Sequence, residues 1–124
     1  MASTYEVDPV RHIVIVAMTG EIADANLFEI HDHLRSDKTL QPGFALLIDL
    51  REASGTKITS AGVRALASLP LVLPPESRRA VVVPSNLGFG MARMYELWRG
   101  DEAGRIRTFR DFDEARDWLA SDEA

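Results

Sequence analysis

The apolar and polar positions of the chain fall into short apolar runs of strand length and longer stretches with helical spacing. Thr4 to Asp8 is a short strand candidate, and Asp8-Pro9-Val10-Arg11 carries turn chemistry. His12 to Met18 is β-rich and wholly apolar from Ile13 onward, which suits a central strand. The two predict an antiparallel hairpin, with Gly20 ending its second strand. Asp24 or Asn26 can cap a helix running to about Ser36, with Leu27, Ile30 and Leu34 facing a core. Phe44 to Leu50 is again an apolar run of strand length, whereas residues 51–57 hold Gly55 among polar neighbours and read as loop. Thr59 or Ser60 opens a second helix over residues 59–69, stopped by Pro70.

Arg79 to Val83 predicts a fourth strand ending at Pro84. Ser85 or Asn86 caps a third helix running to about Arg99, with Gly100 placed to end it. Arg105 to Phe109 is the last strand. Asp111 caps a final helix with Phe112, Ala115, Trp118 and Leu119 inward and Glu114 at capping-box spacing. The end of the chain, from Ser121 or as early as residue 119, is expected to fray. The order is β-β-α-β-α-β-α-β-α, a single α/β domain over residues 1–124 with a five-stranded mixed sheet and four helices. Strands alternating with helices imply parallel neighbours joined by right-handed crossovers.

Composition narrows the function classes. Of 124 residues, 46% are hydrophobic and 27% charged, an ordinary globular mixture. The 19 acids outnumber the 14 bases, giving a net charge of −5, which argues against binding a nucleic-acid backbone. The absence of cysteine excludes disulfides, zinc knuckles and thiol chemistry. No apolar run reaches membrane-spanning length and Met1 to Val10 lacks signal-peptide character, so the expectation is a cytoplasmic protein.

The candidate chemistry centres on Ile48-Asp49-Leu50-Arg51 and Ile58-Thr59-Ser60-Ala61-Gly62-Val63. A strand feeding a loop and a helix start would aim unpaired N–H groups and a positive dipole end at one spot, suited to an anion. Asp49, Thr59 and Gly62 frame that loop as a partner- or anion-binding surface. Asp49 has two readings: a carboxylate at a strand's carboxyl end, or a turn residue accepting nearby N–H groups. With no second carboxylate or histidine near it in sequence, the turn reading is preferred. Ser60 is either part of a helix cap or a modification site, where a phosphate would meet unpaired N–H groups.

Glu29 and His33 share a helix face, but two ligands are too few for zinc, so neither metal nor cofactor is expected. No Gly-x-Ser-x-Gly elbow, P-loop or dinucleotide fingerprint occurs, and catalysis is not expected. Apolar residues remain to be accounted for. Leu71-Val72-Leu73 lies among prolines where a polar loop is usual, and the third helix carries Leu87, Met91, Met94, Tyr95 and Trp98 on its core stripe with Phe89 off it. Leu73, Phe89, Met94 and Trp98 could pack inside, or could form an apolar pocket or a homodimer face.

The element order, with Ile48-Asp49-Leu50 and Ile58-Thr59-Ser60-Ala61-Gly62-Val63, resembles the STAS domain of sulphate transporters and anti-sigma factor antagonists. Phe89-Gly90-Met91-Ala92-Arg93-Met94-Tyr95, Arg107-Thr108-Phe109-Arg110-Asp111 and Asp113-Glu114-Ala115 look more like its SpoIIAA-like (STAS/SEC14) branch. Antagonists of this kind carry an Asp-Ser-Ser-Gly stretch whose first serine a partner kinase phosphorylates. Ser60 falls at that serine and Gly62 at the glycine, while Thr59 replaces the aspartate and Ala61 the second serine. The resemblance implies a regulatory module that binds a kinase-like or anti-sigma-like protein and is switched at Ser60. The SEC14 side of the family implies a lipid or another small apolar ligand instead.

Overall fold

A computed structural model describes residues 2–41, 43–74, 76–84, 86–100 and 105–121. Its elements are β1 (Ala2–Asp8), β2 (Ile13–Ala23), α1 (Asp24–Ser36), β3 (Ala45–Lys57), α2 (Ser60–Ala67), β4 (Arg79–Val82), α3 (Asn86–Arg99), β5 (Ile106–Phe109) and α4 (Phe112–Ala120). The strands lie side by side in chain order. β1 runs antiparallel to β2, and every later neighbour is parallel. The fold class and element order are those expected from the sequence.

Crossovers of one hand along strands in sequential order carry their helices to the same face. α1, α2 and α3 accordingly gather on one face of the sheet, and α4 returns across the other. Strand alternation sends successive residues to opposite faces. Ile13, Ala45, Leu47, Ala80 and Val82 meet Ala115 and Leu119 on the α4 side. Val14, Val16, Met18 and Leu46 meet Leu34 and Leu73 on the three-helix side. Burying such side chains is worth roughly 1.5–3 kcal/mol each and holds the layers together.

Several boundaries differ from those read in the sequence, β1 beginning at Ala2 rather than Thr4. Gly20 does not end β2; it takes φ +79° and the strand runs on to Ala23. Residues 51–57 are likewise strand rather than loop, because they pair with this continuation, Thr19 opposite Glu52 and Ala23 opposite Lys57. An extra β3 residue is taken up between Ala17 and Thr19 and another between Glu21 and Ala23, so β3 bulges twice. The result is a two-stranded arm overhanging β4, whose pairing with β3 stops at Asp49 and Val82. Helix α2 is also shorter than expected, ending at Ala67.

Neither cap foreseen for α1 holds the cap position. Ala23 does, and the Asn26 side-chain oxygen accepts its N–H at 2.8 Å. Asp111 caps α4 as expected, accepting the Glu114 N–H at 3.0 Å, and Gly100 follows α3 with φ +64°. The alternative α3 cap, Ser85, lies outside the described residues. The chain end is held further than expected. Leu119 is buried, and Arg78 Nη1 donates to the Ser121 carbonyl and hydroxyl oxygens at 2.7 and 2.6 Å. Residues 122–124 lie outside the description.

Candidate functional site: an apolar chamber beneath three helices

Alternation along β3 and β4 sets Leu46, Ile48, Leu50, Arg79 and Val81 on the three-helix face. The helices above bring Leu27 and Ile30, Val63 and Leu66, and Met91 and Tyr95 toward them, yet do not close the space. A chamber of about 460 Å³ remains. The Thr19–Ala23 arm extends it, since Ile22, Ala53 and Ser54 form part of its wall. The opposite face shows what closure looks like. Leu47, Ala80 and Val82 are 0% exposed under α4, whereas Ile48, Leu50 and Val81 on the same central strands are only partly buried.

The size decides how the chamber should be understood. The chamber is partly open to solvent, and leaving so much apolar wall without packing partners has a cost in stability that an occupant would relieve. Water relieves that cost where several polar partners surround each molecule. Here the lining is overwhelmingly aliphatic and aromatic. A volume within the roughly 300–1,000 Å³ of small-ligand sites, walled by apolar groups with few polar ones, has the character of a ligand pocket.

The corner singled out in the sequence is built differently from the expectation. Asp49 lies on the α4 face, opposite the helix start it was grouped with. Its carboxylate accepts the Arg51 backbone N–H at 3.1 Å, Nε at 3.0 Å and Nη2 at 2.9 Å. The Arg51 guanidinium in turn lies 4.4 Å from the Phe112 ring centroid. Burial pushes the Asp49 carboxyl up, but the Arg51 hydrogen bonds and charge outweigh it and leave the pKa below the usual range.

Thr59 is the N-cap of α2, and its hydroxyl accepts the Gly62 N–H at 2.9 Å. Asp24, from the start of α1, takes the Thr59 N–H at 2.9 Å and the Thr59 hydroxyl at 2.6 Å. Those two bonds hold its carboxyl below the ordinary value. A side chain at position 62 would collide with it, since a Cβ there would sit 2.1 Å from Asp24 Cγ. A carboxylate therefore already sits at the helix start, supplied from a residue 35 positions earlier. Sequence reasoning missed this role because Asp24 also suits a helix cap.

Ser60 is the first residue of α2 and is exposed. It borders a shallow groove between α2 and α3 with Arg64, Met94 and Trp98. Trp98 is half exposed, with the Arg64 guanidinium 4.6 Å from its ring centroid. Met94 and Trp98 thus share one surface with Ser60. Leu73 is instead buried in the core at 4% exposure, and Phe89 is half-buried beneath the Arg110 guanidinium. The four apolar residues grouped in the sequence do not form one pocket, because α3 turns Met94 and Trp98 away from the chamber that Met91 and Tyr95 face.

The histidines are dispersed. His31 Nε2 lies 2.8 Å from the Pro70 carbonyl oxygen. His33 packs edge-on against Tyr5, and His12 stacks on Phe44. Among the described residues, no group of three His, Asp or Glu is placed to hold a metal, and no helix is long and apolar enough to cross a membrane.

Neither a family model nor a curated protein matches the chain. Among solved structures, it is similar to an uncharacterized protein of the DUF3478 family with a SpoIIAA-like fold from Shewanella loihica PV-4. The likeness covers 95% of this chain and 92% of that one, with a TM-score of 0.58 and 18% identity. The fold is SpoIIAA-like, an α/β domain with a five-stranded mixed sheet and four helices.

Proposed function

We propose that this protein is a non-catalytic binding module whose three-helix chamber holds a small apolar ligand. The chamber itself carries the reading: about 460 Å³ of apolar-walled space lies over β3 and β4, whose residues Leu47, Ala80 and Val82 on the other face are fully buried. Filling it would stabilise the fold by linkage, in proportion to the logarithm of ligand concentration over Kd. The test is titration with the apolar dye Nile red, comparing wild type with Ala92→Phe, which narrows the chamber from α3. Saturable binding by wild type, weakened at least about tenfold in a folded variant, supports the proposal. Equal binding by both proteins, or none by wild type, overturns it.

A second reading rests on the α2–α3 groove, where Ser60, Arg64, Met94 and Trp98 meet. In this reading a partner protein docks on the groove, and phosphate on Ser60 alters the contact. Arg64, one turn on, would attract that phosphate, while Asp24 beside Thr59 would repel it. Binding of a partner to wild type but not to Ser60→Glu, with chamber filling unchanged, would favour this reading.

A further inference from the structure

The two open edges of the sheet carry opposite charge. β1 and β5 are its outermost strands, and among the described residues no strand pairs with the outer side of either. β1 holds Glu6 and Asp8 and no basic residue, while the stretch from Arg105 to Arg110 holds three arginines and no acid. These charges also share a face. Glu6 sits opposite Ile15, which packs on the α4 side, and Asp8, two residues on, faces the same way. Arg107 lies over the rings of Phe109 and Trp118 on that side, and Arg105 shares its alternation. Glu6 and Arg107 are both exposed.

Backbone direction narrows the pairing. The Arg105 and Phe109 carbonyls accept the Arg79 and Val83 N–H groups at 2.7 and 2.9 Å, so Ile106 and Thr108 turn their backbone groups outward. His12 gives its carbonyl to Ala45 of β3, so Ile13 and Ile15 bond to β1 and their opposites, Asp8 and Glu6, turn inward. Tyr5 and Val7 therefore present the outward groups of β1.

We propose that the occupant of each edge is a second copy of this chain, β5 of one molecule pairing antiparallel with β1 of the next. The sheet then continues with its faces preserved, Ile106 opposite Val7 and Thr108 opposite Tyr5 in hydrogen-bonded pairs. Arg107 meets Glu6, and Arg105 meets Asp8, in the closer non-hydrogen-bonded pairs, where opposite charges attract best. Arg107 with Glu6 is the central pair; Asp8, whose Oδ1 also takes the Val10 and Arg11 N–H groups at 3.0 Å, is in the outer one. Charged edges keep a sheet from sticking to its own kind, and β1 against β1 or β5 against β5 would set like charges together. Of these pairings the unlike edges alone bring opposite charges together. The contact is head-to-tail, closing into a ring or running on as a chain.

The test is sedimentation velocity of the full chain at low ionic strength, from about 10 μM to about 1 mM. It compares wild type, Glu6→Arg, Arg107→Glu and the double variant carrying both, each with its fold checked by circular dichroism. Wild type should form species that grow with concentration beyond a dimer and weaken in about 1 M salt. Each single reversal should weaken association at least about tenfold, and the double variant, its charges exchanged, should recover it. Wild type that stays monomeric, leaving the edges to other partners, overturns the proposal. So does association that stops at a dimer, single variants that associate like wild type, or a folded double variant that fails to recover. Where a variant does not fold, the growth and salt dependence of wild type still decide.

Discussion

The two faces of the sheet are made from the same strands and equally apolar residues, but they end in different states. Under α4, Phe112, Ala115, Trp118 and Leu119 settle on Leu47, Ala80 and Val82, and those sheet residues lose all exposure. Under α1, α2 and α3, Ile48, Leu50 and Val81 stay partly exposed although three helices cover them. The number of covering elements therefore does not set closure. The two-stranded arm and the Pro70–Leu73 segment fill the margins of the three-helix face, and the helices bridge the space between. The contrast belongs to β3 and β4, because β2 is sealed on the three-helix side as well, with Val14, Val16 and Met18 at 0–1% exposure.

The largest contrast should come from truncating neighbours on β3. Leu47→Ala is expected to lower unfolding free energy by about 2–5 kcal/mol in chemical denaturation, because it opens a cavity in a sealed core. Ile48→Ala, whose side chain already borders empty space, should cost less than half as much. Equal losses would erase the distinction between the faces. Enlarging side chains gives the converse. Ala115→Phe should destabilise by about 1–3 kcal/mol or more, having no volume to enter, whereas Ala92→Phe should be neutral or stabilising in the same assay.

A smaller, pH-dependent effect belongs to the closed face. Asp49 has a pKa below its unfolded value, so its contribution is present above the unfolded pKa and is lost as pH falls through the folded one. Asp49→Asn should therefore cost about 1 kcal/mol at neutral pH, the pair being half open to solvent on the Arg51 side, and nothing in strong acid. A wild type and variant that differ equally at pH 7 and pH 2 would contradict this. At the start of α2, Thr59→Ala should cost about 1 kcal/mol, and Ser60→Ala less than about 0.5 kcal/mol in thermal denaturation. The reverse order would make Ser60 the cap and weaken its reading as an exposed switch.

The elements were legible because strand and helix periods are written in neighbouring residues. The apolar run at Ile13–Met18 and the cap-bearing Asp111 helix each fixed their own place. The Thr19–Ala23 arm was not legible. Its partner, residues 52–57, is polar and holds glycine, and only pairing across the bulges makes it strand. Asp24 at the α2 start was hidden for a similar reason, since its hydrogen bonds span 35 positions. The site shows the same limit. Met91, Met94, Tyr95 and Trp98 fit one helical stripe, but the angle at which α3 lies decides that the first and third face the chamber and the others the outer groove. The chamber is a property of spacing between layers, which no local pattern records.

The most direct test is methyl NMR of the protein titrated with Nile red, because it reads both faces in one experiment. Signals from Ile48, Val81 and Met91 should move in a saturable way, while those of Leu47 and Val82 beneath α4, of Leu119 on α4 and of Met94 in the outer groove stay in place. Shifts confined to Met94, shifts of equal size on both faces, or no shifts at all would contradict a ligand chamber on the three-helix side.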